Sequence, residues 1–134
     1  MRGAPSTPLI AILCIATLQF AQPNISVADL DALYSKTKIA IVPLRVGAGV
    51  KGKVIEAMSK GVPVAGTFIA FEGIPKDADF PFKGSSTVKD MTYNILNIYS
   101  DKLLWNKLSA YGKEYVHKNF NKDMMKHIFE EIMK

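Results

Sequence analysis

The chain has 134 residues and a net charge of +5, enough length for one domain with a real core and too little charge to demand a polyanionic partner. Its single cysteine, Cys14, rules out an intramolecular disulfide, so a disulfide-built scaffold is excluded. His117 and His127 stand apart, with no cysteine or paired acids at ligand spacing, so no metal site is expected, and no aromatic-plus-basic pattern points to nucleic acid.

Residues 1–22 open with one arginine and a Pro/Ser/Thr stretch, followed by the apolar run Leu9 to Leu18 (LIAILCIATL). A spanning helix needs ~20 apolar residues, so the run is too short to cross a bilayer. It resembles the h-region of a secretory signal peptide, but a cut after Ala21 would place Gln19 where a small residue belongs. A buried strand or helix is a further reading, and the remnant of a truncated gene is the preferred one. Residues 1–24 are therefore set apart from a domain over 25–134.

Ser26-Val27-Ala28-Asp29 has the shape of an N-cap with an acid three residues on, and Val27, Leu30, Leu33 and Tyr34 follow at helical spacing. Next comes the unbroken apolar run Ile39 to Leu44, expected of a strand buried on both faces. Gly47, Gly49 and Gly52 then surround Lys51 and Lys53. Val54, Ile55, Ala57 and Met58 have helical spacing, and Gly61 sits where a helix C-cap favours positive φ. Val62 to Thr67 is a second β-prone run, so strand, loop, helix and strand predict a βαβ unit with parallel strands.

The chemistry expected at that unit is anion binding. A helix N-terminus presents unpaired N–H groups and the positive end of the dipole, and glycines admit a phosphate close to the backbone. Lys51 and Lys53 oppose that dipole, a conflict that a pyrophosphate would remove; otherwise both simply point into water. The segment Gly47-Ala48-Gly49-Val50-Lys51-Gly52 also spells GxGxxG, with Glu72 at a distance suited to a ribose-binding acid. As a dinucleotide fingerprint it fits poorly, since Glu72 falls in the loop beyond the next strand.

Further along, Ala78 to Phe82 predicts a short strand, confined by Pro81 to an edge or a strand end. Thr87 with Asp90 predicts a helix start, with Val88, Met91, Ile95, Ile98 and Tyr99 as its apolar stripe. Asp101 begins another helix, carrying Leu103, Leu104, Leu108, Tyr111, Tyr115 and Val116. Asn121 caps a third, with Met124, Met125, Ile128, Phe129 and Ile132. Trp105 and the methionines are read as core residues. Lys113, Lys118, Lys122 and Lys126 form either an ordinary wet face or a contact to anionic lipid.

The run PLRVGAGVKGKVIEAMSKGVPVAG, followed by Ile69-Ala70-Phe71-Glu72-Gly73-Ile74-Pro75, resembles the C-terminal, donor-binding half of a GT-B glycosyltransferase of the group 1, family 4-like type. The resemblance extends over about Val27 to Lys134. It implies an α/β fold, a Rossmann-like parallel sheet flanked by helices with a helical C-terminal tail. It also implies a nucleotide-diphosphate sugar as substrate; no cofactor is expected beside it, and no metal site is evident in the residues. Glu56 matches the family glutamate that holds the donor ribose, and a carboxylate suits a vicinal diol; the plainer reading is an exposed acid paired with Lys60. Gly47, Gly49 and Val50 match the backbone along the donor diphosphate, Lys51 and Lys53 match basic positions beside it, and Arg45 is a further phosphate contact. Glu72 and Gly73 belong to a loop that borders the donor.

The sequence departs from the family at one place. Many relatives carry a second glutamate where this chain has Ala48, which puts the sugar contact and the retaining stereochemistry in doubt. No catalytic residue is assigned. The expected partner is an N-terminal acceptor domain or a separate acceptor subunit, and the expected location is cytoplasmic, with peripheral membrane contact as a further expectation. Two alternatives remain: a binding domain without catalysis, and an NAD-type oxidoreductase domain, which would need an acid at the end of Val62–Thr67.

Overall fold

A computed structural model describes residues 12–14, 27–47, 51–120 and 122–132. Three short parallel strands form one sheet in the order β1 (Ile12–Cys14), β2 (Ile39–Val42), β3 (Val64–Gly66). Ile12 pairs with Ile39, and Ala40 pairs with Val64 on the other side of β2. Part of the apolar N-terminal run therefore lies in the same sheet as the rest of the chain. Every residue of β3 is buried, as are Ile39, Ala40 and Val42 of β2. That explains why these strands read as continuous apolar runs rather than alternating ones.

Helix α1 (Val27–Ser35) leads into β2, and α2 (Gly52–Ser59) connects β2 to β3, which is the expected βαβ unit. The Ser26 and Asn121 caps, and the loop positions Ala48, Gly49 and Val50, lie outside the described residues. Helix α2 is a core element rather than a surface one: Val54, Ile55, Glu56, Ala57 and Met58 are all buried in succession. It packs against α4 (Lys102–Asn119) and α5 (Lys122–Ile132). At the crossing with α4, Gly112 brings the two backbones together; a Cβ there would lie 3.2 Å from the Met58 carbonyl oxygen. Gly61 ends α2 with φ 74°, and its N–H bonds the Met58 carbonyl at 3.0 Å, a C-terminal turn that a side chain would strain.

Helix α3 (Val88–Ser100) packs on β2, β3 and α4. Both predicted caps are formed: Thr87 Oγ1 accepts from the Asp90 N–H at 3.0 Å, and Asp101 accepts from the Leu104 N–H at 3.1 Å. Trp105 is fully buried on α4 and donates through Nε1 to the Lys38 carbonyl at 2.8 Å. Lys38 in turn donates to the Tyr99 carbonyl at 2.7 Å and lies over the Tyr99 ring. This joins α3, α4 and the entry to β2.

Three expectations are corrected. Ala78 to Phe82 forms no strand: the segment turns, and Phe80 and Phe82 pack with Phe71, Tyr111 and Tyr115. Burying those rings on α4 outweighs the pairing that Pro81 would hamper. Beyond Gly66, a lone parallel bridge joins Thr67 to Ser85. On α3 the packed stripe is narrower than the apolar pattern suggests. Ile98 is buried and Met91 and Ile95 are partly so, while Val88 and Tyr99 face outward. Leu103 on α4 and Met124 on α5 are likewise exposed, because helical spacing identifies a face without saying whether a neighbour covers it.

Candidate functional site

The loop leaving the carboxyl end of β2 carries Pro43, Leu44, Arg45, Val46 and Gly47 before α2 begins. This is the edge where open α/β sheets take their ligands. Thr67, at the matching end of β3, closes the edge: its hydroxyl donates to the Leu44 carbonyl at 2.5 Å, and its N–H bonds the Val42 carbonyl at 3.3 Å. Thr67 stands in the sequence only as a strand end, and nothing in its spacing announces this tie.

Gly47 takes φ 135°, in a region that side chains avoid. A Cβ there would lie 3.2 Å from Lys51 Cε and 3.8 Å from Lys51 Nζ. The lysine side chain thus lies over the glycine, and two of the predicted anion-binding positions are brought together. Lys51 is also the N-cap of α2, with extended backbone and no side-chain cap hydrogen bond. The first amides of α2 therefore lack the Ser, Thr, Asp or Asn acceptor that usually meets them. Arg45 is exposed on the same loop, and Lys53 is half-buried on the first turn of α2. Burial holds the Lys53 ammonium below its ordinary range, against the pull of Glu56.

Glu56 is where the geometry departs most from the sequence. It is 1% exposed, so the reading of an exposed acid does not hold; Lys60 forms an ion pair with Asp31 of α1 and also acts on Glu56 through its charge. The Glu56 carboxyl takes a hydrogen bond from the buried Tyr34 hydroxyl, and burial pushes its pKa up to about 7. The Tyr34 bond, Lys60 and Lys53 oppose that rise, and Asp31 adds to it. The Tyr34 phenol is raised in turn, by burial first and by the Glu56 charge next. Glu56 Oε2 has no hydrogen-bond partner, alone among the buried side-chain nitrogens and oxygens of the described residues. Tyr34 appears in the sequence only as a packing residue, and no local signal links it to an acid beyond the next strand.

Glu72 and Gly73 follow a 3₁₀ turn, Ile69–Phe71, and both are exposed. This loop is anchored from behind. Lys76 Nζ donates to the Phe71 carbonyl at 2.9 Å, Tyr111 donates to Asp77 at 2.7 Å, and Tyr115 donates to the Pro75 carbonyl. Among the described residues, no group of three or more His, Cys, Asp or Glu converges as a metal site would require.

A family model described as glycosyl transferases group 1 matches residues 17–101, well over half of the chain. The chain belongs to the group 1 glycosyltransferases. No curated protein and no solved structure matches it. The matched region covers all of the βαβ unit, the anchored loop and the whole of α3. Among the described residues, no helix is long and apolar enough to cross a membrane.

Proposed function

We propose that the chain is the donor half of a group 1 glycosyltransferase and holds a nucleotide-diphosphate sugar at the carboxyl end of β2. The observation that carries this reading is Glu56 Oε2, a buried acceptor with no partner, just inside the helix that follows the Gly47–Lys51 loop. Leaving such an atom unpaired disfavours the empty state. A ribose hydroxyl would satisfy it, while the diphosphate lies along Gly47, Gly49 and Val50 and meets Arg45, Lys51 and Lys53. Because Glu56 is covered, donor entry has to move that cover, Tyr34 included. The leaving diphosphate would be stabilised by the uncapped amides of α2 and the three basic side chains, which lowers the barrier to glycosyl transfer electrostatically.

The oxidoreductase alternative has no support in the site. Thr67 follows β3 with its hydroxyl committed to Leu44, and the next acid, Glu72, is exposed beyond the 3₁₀ turn. Binding without transfer is favoured for the isolated chain by Ala48, which cannot supply the sugar contact of a second glutamate. The acceptor side would come from another domain or subunit.

Calorimetric titration of the full chain with UDP, GDP and NAD in parallel tests the reading. One nucleoside diphosphate should bind, and Glu56→Ala and Lys53→Ala should each weaken it by about tenfold, the effect of losing one charge-assisted hydrogen bond. Binding of NAD alone, indifferent to Glu56, would overturn it.

A further inference from the structure

Among the side chains described on α1, Tyr34 alone is buried; the others face water or, like Leu33, are half-buried. A buried phenol needs a partner for its hydroxyl. Tyr34 finds one in a residue that is itself covered, the Glu56 carboxyl of α2. Helix α1 is tied to α2 a second time by the ion pair of Asp31 and Lys60. Both of those residues are partly exposed, so the pair resists separation only weakly. Among the described elements, none packs broadly on α1, in contrast to α2, α3, α4 and α5. The helix that covers Glu56 is therefore held lightly, with Tyr34 as its buried contact.

The pairing is incomplete on the side of the acid. An ionised carboxyl accepts through two oxygens, whereas a phenol has one proton to donate. The Tyr34 bond leaves Oε2 of Glu56 without a partner. A pair kept for stability alone has no use for such a gap, because an unmet buried acceptor costs at least as much as one hydrogen bond contributes. Two neighbouring hydroxyls would fill both places. A vicinal diol donates twice across one carboxylate where the phenol donates once.

We propose that Tyr34 is a built-in competitor of the donor, its hydroxyl taking on Glu56 one of the two places that a ribose diol takes and closing the site until a ribose displaces it. This inference rests on the donor reading above. The displacement trades one hydrogen bond on Glu56 for two, which is why a ribose can win. It also lowers the apparent affinity for the donor, since only the fraction of chains with Tyr34 withdrawn is competent to take it.

The test titrates the full chain by calorimetry at about pH 9, where Glu56 is ionised, with UDP, GDP and their dideoxy analogues, which lack both ribose hydroxyls. Tyr34→Phe should bind the nucleoside diphosphate about tenfold more tightly than the parent, because no hydrogen bond to the carboxylate has to be broken first. It should bind the dideoxy analogue as the parent does. A Tyr34 that only packed against Glu56 or propped it would give the opposite sign, or a change shared by both ligands. A second readout needs no variant. In the parent chain, labelled at its tyrosines, the nucleoside diphosphate should move the Tyr34 ring signals and the dideoxy analogue should leave them in place. Binding by Tyr34→Phe beside a silent parent would be the same result in its extreme form. Binding unchanged or weaker in Tyr34→Phe, an equal gain for both ligands, or ring signals indifferent to the ribose would each overturn the competitor and leave the donor reading standing. No nucleotide bound by either protein would instead overturn the donor reading, and the competitor with it.

Discussion

Glu56 has an ordinary carboxyl pKa of 4.5 when unfolded and about 7 in the fold, with burial as the main cause. Between those values the folded chain keeps a proton that the unfolded chain gives up. Its contribution is therefore fully present below about pH 4.5, declines as pH rises, and is lost above about pH 7. The difference corresponds to roughly 3 kcal/mol at most. Urea unfolding at pH 5 and pH 8 should show Glu56→Gln more stable than the parent at pH 8 by about 1–3 kcal/mol, with little difference at pH 5. An identical pH slope in the two proteins would remove Glu56 as its source. Tyr34→Phe takes away the bond that opposes the rise, so a carboxyl titration by NMR should find the Glu56 midpoint moved upward. The sequence made Glu56 visible as a carboxylate on the right helix. It could not make visible its burial or its partner, because Tyr34 reaches it from another helix across β2 in the chain, and spacing reports only neighbours on one element.

At the level of the elements, glycines decide how closely the pieces approach. A Cβ at Gly84 would sit 2.7 Å from Phe68 Cα and 2.9 Å from Phe68 N, atoms of the backbone that have no rotamer to escape into. Gly84→Ala should destabilise the fold by about 1–3 kcal/mol, read from its denaturant midpoint. Gly112→Val should do the same at the crossing of α2 and α4, where Met58 carbonyl and Cα stand 3.2 and 3.3 Å from the built Cβ. Unchanged midpoints in both variants would mean that the contacts yield at no cost. Elements whose signals are local were legible in the chain. The caps at Thr87 and Asp101, the φ of Gly61 and the apolar run of β2 needed no knowledge of the fold. The stretch Ala78–Phe82 was not, since its fate depends on an aromatic cluster drawn from Phe71 and α4. Nor could any local pattern announce that five successive residues of α2 would be covered, because helices pack on it from distant parts of the chain.

Over the whole molecule, the parallel sheet and its flanking helices follow from the order of strand, helix and strand, and the family match agrees with that order. The inclusion of Ile12–Cys14 in the sheet did not follow, because a short apolar run reads equally as strand, signal or scar until a neighbour such as Ile39 pairs with it. The donor edge was legible as chemistry, through glycines and lysines. The cleft that opens at this edge was not, for its walls come from three separated segments, around Leu44, Phe68 and Met91, that share no motif. Tyr111→Phe tests how the molecule holds the loop that follows the 3₁₀ turn. Losing the bond to Asp77 should cost about 0.5–1.5 kcal/mol and speed amide exchange from Glu72 to Asp79; exchange left unaltered would mean that Tyr115 and Lys76 hold the loop without it.

The chain's single tryptophan occupies the joint between α4 and the entry to β2, with its ring buried and its N–H on the Lys38 carbonyl. That placement makes it an intrinsic fluorophore for assembly rather than for helix content. An isolated α4 can be helical while Trp105 still emits at the long wavelength of a hydrated indole. Emission moves to short wavelength only when residues far apart in the chain have docked. Following fluorescence and circular dichroism together during refolding would therefore time the closing of the core separately from the winding of its helices.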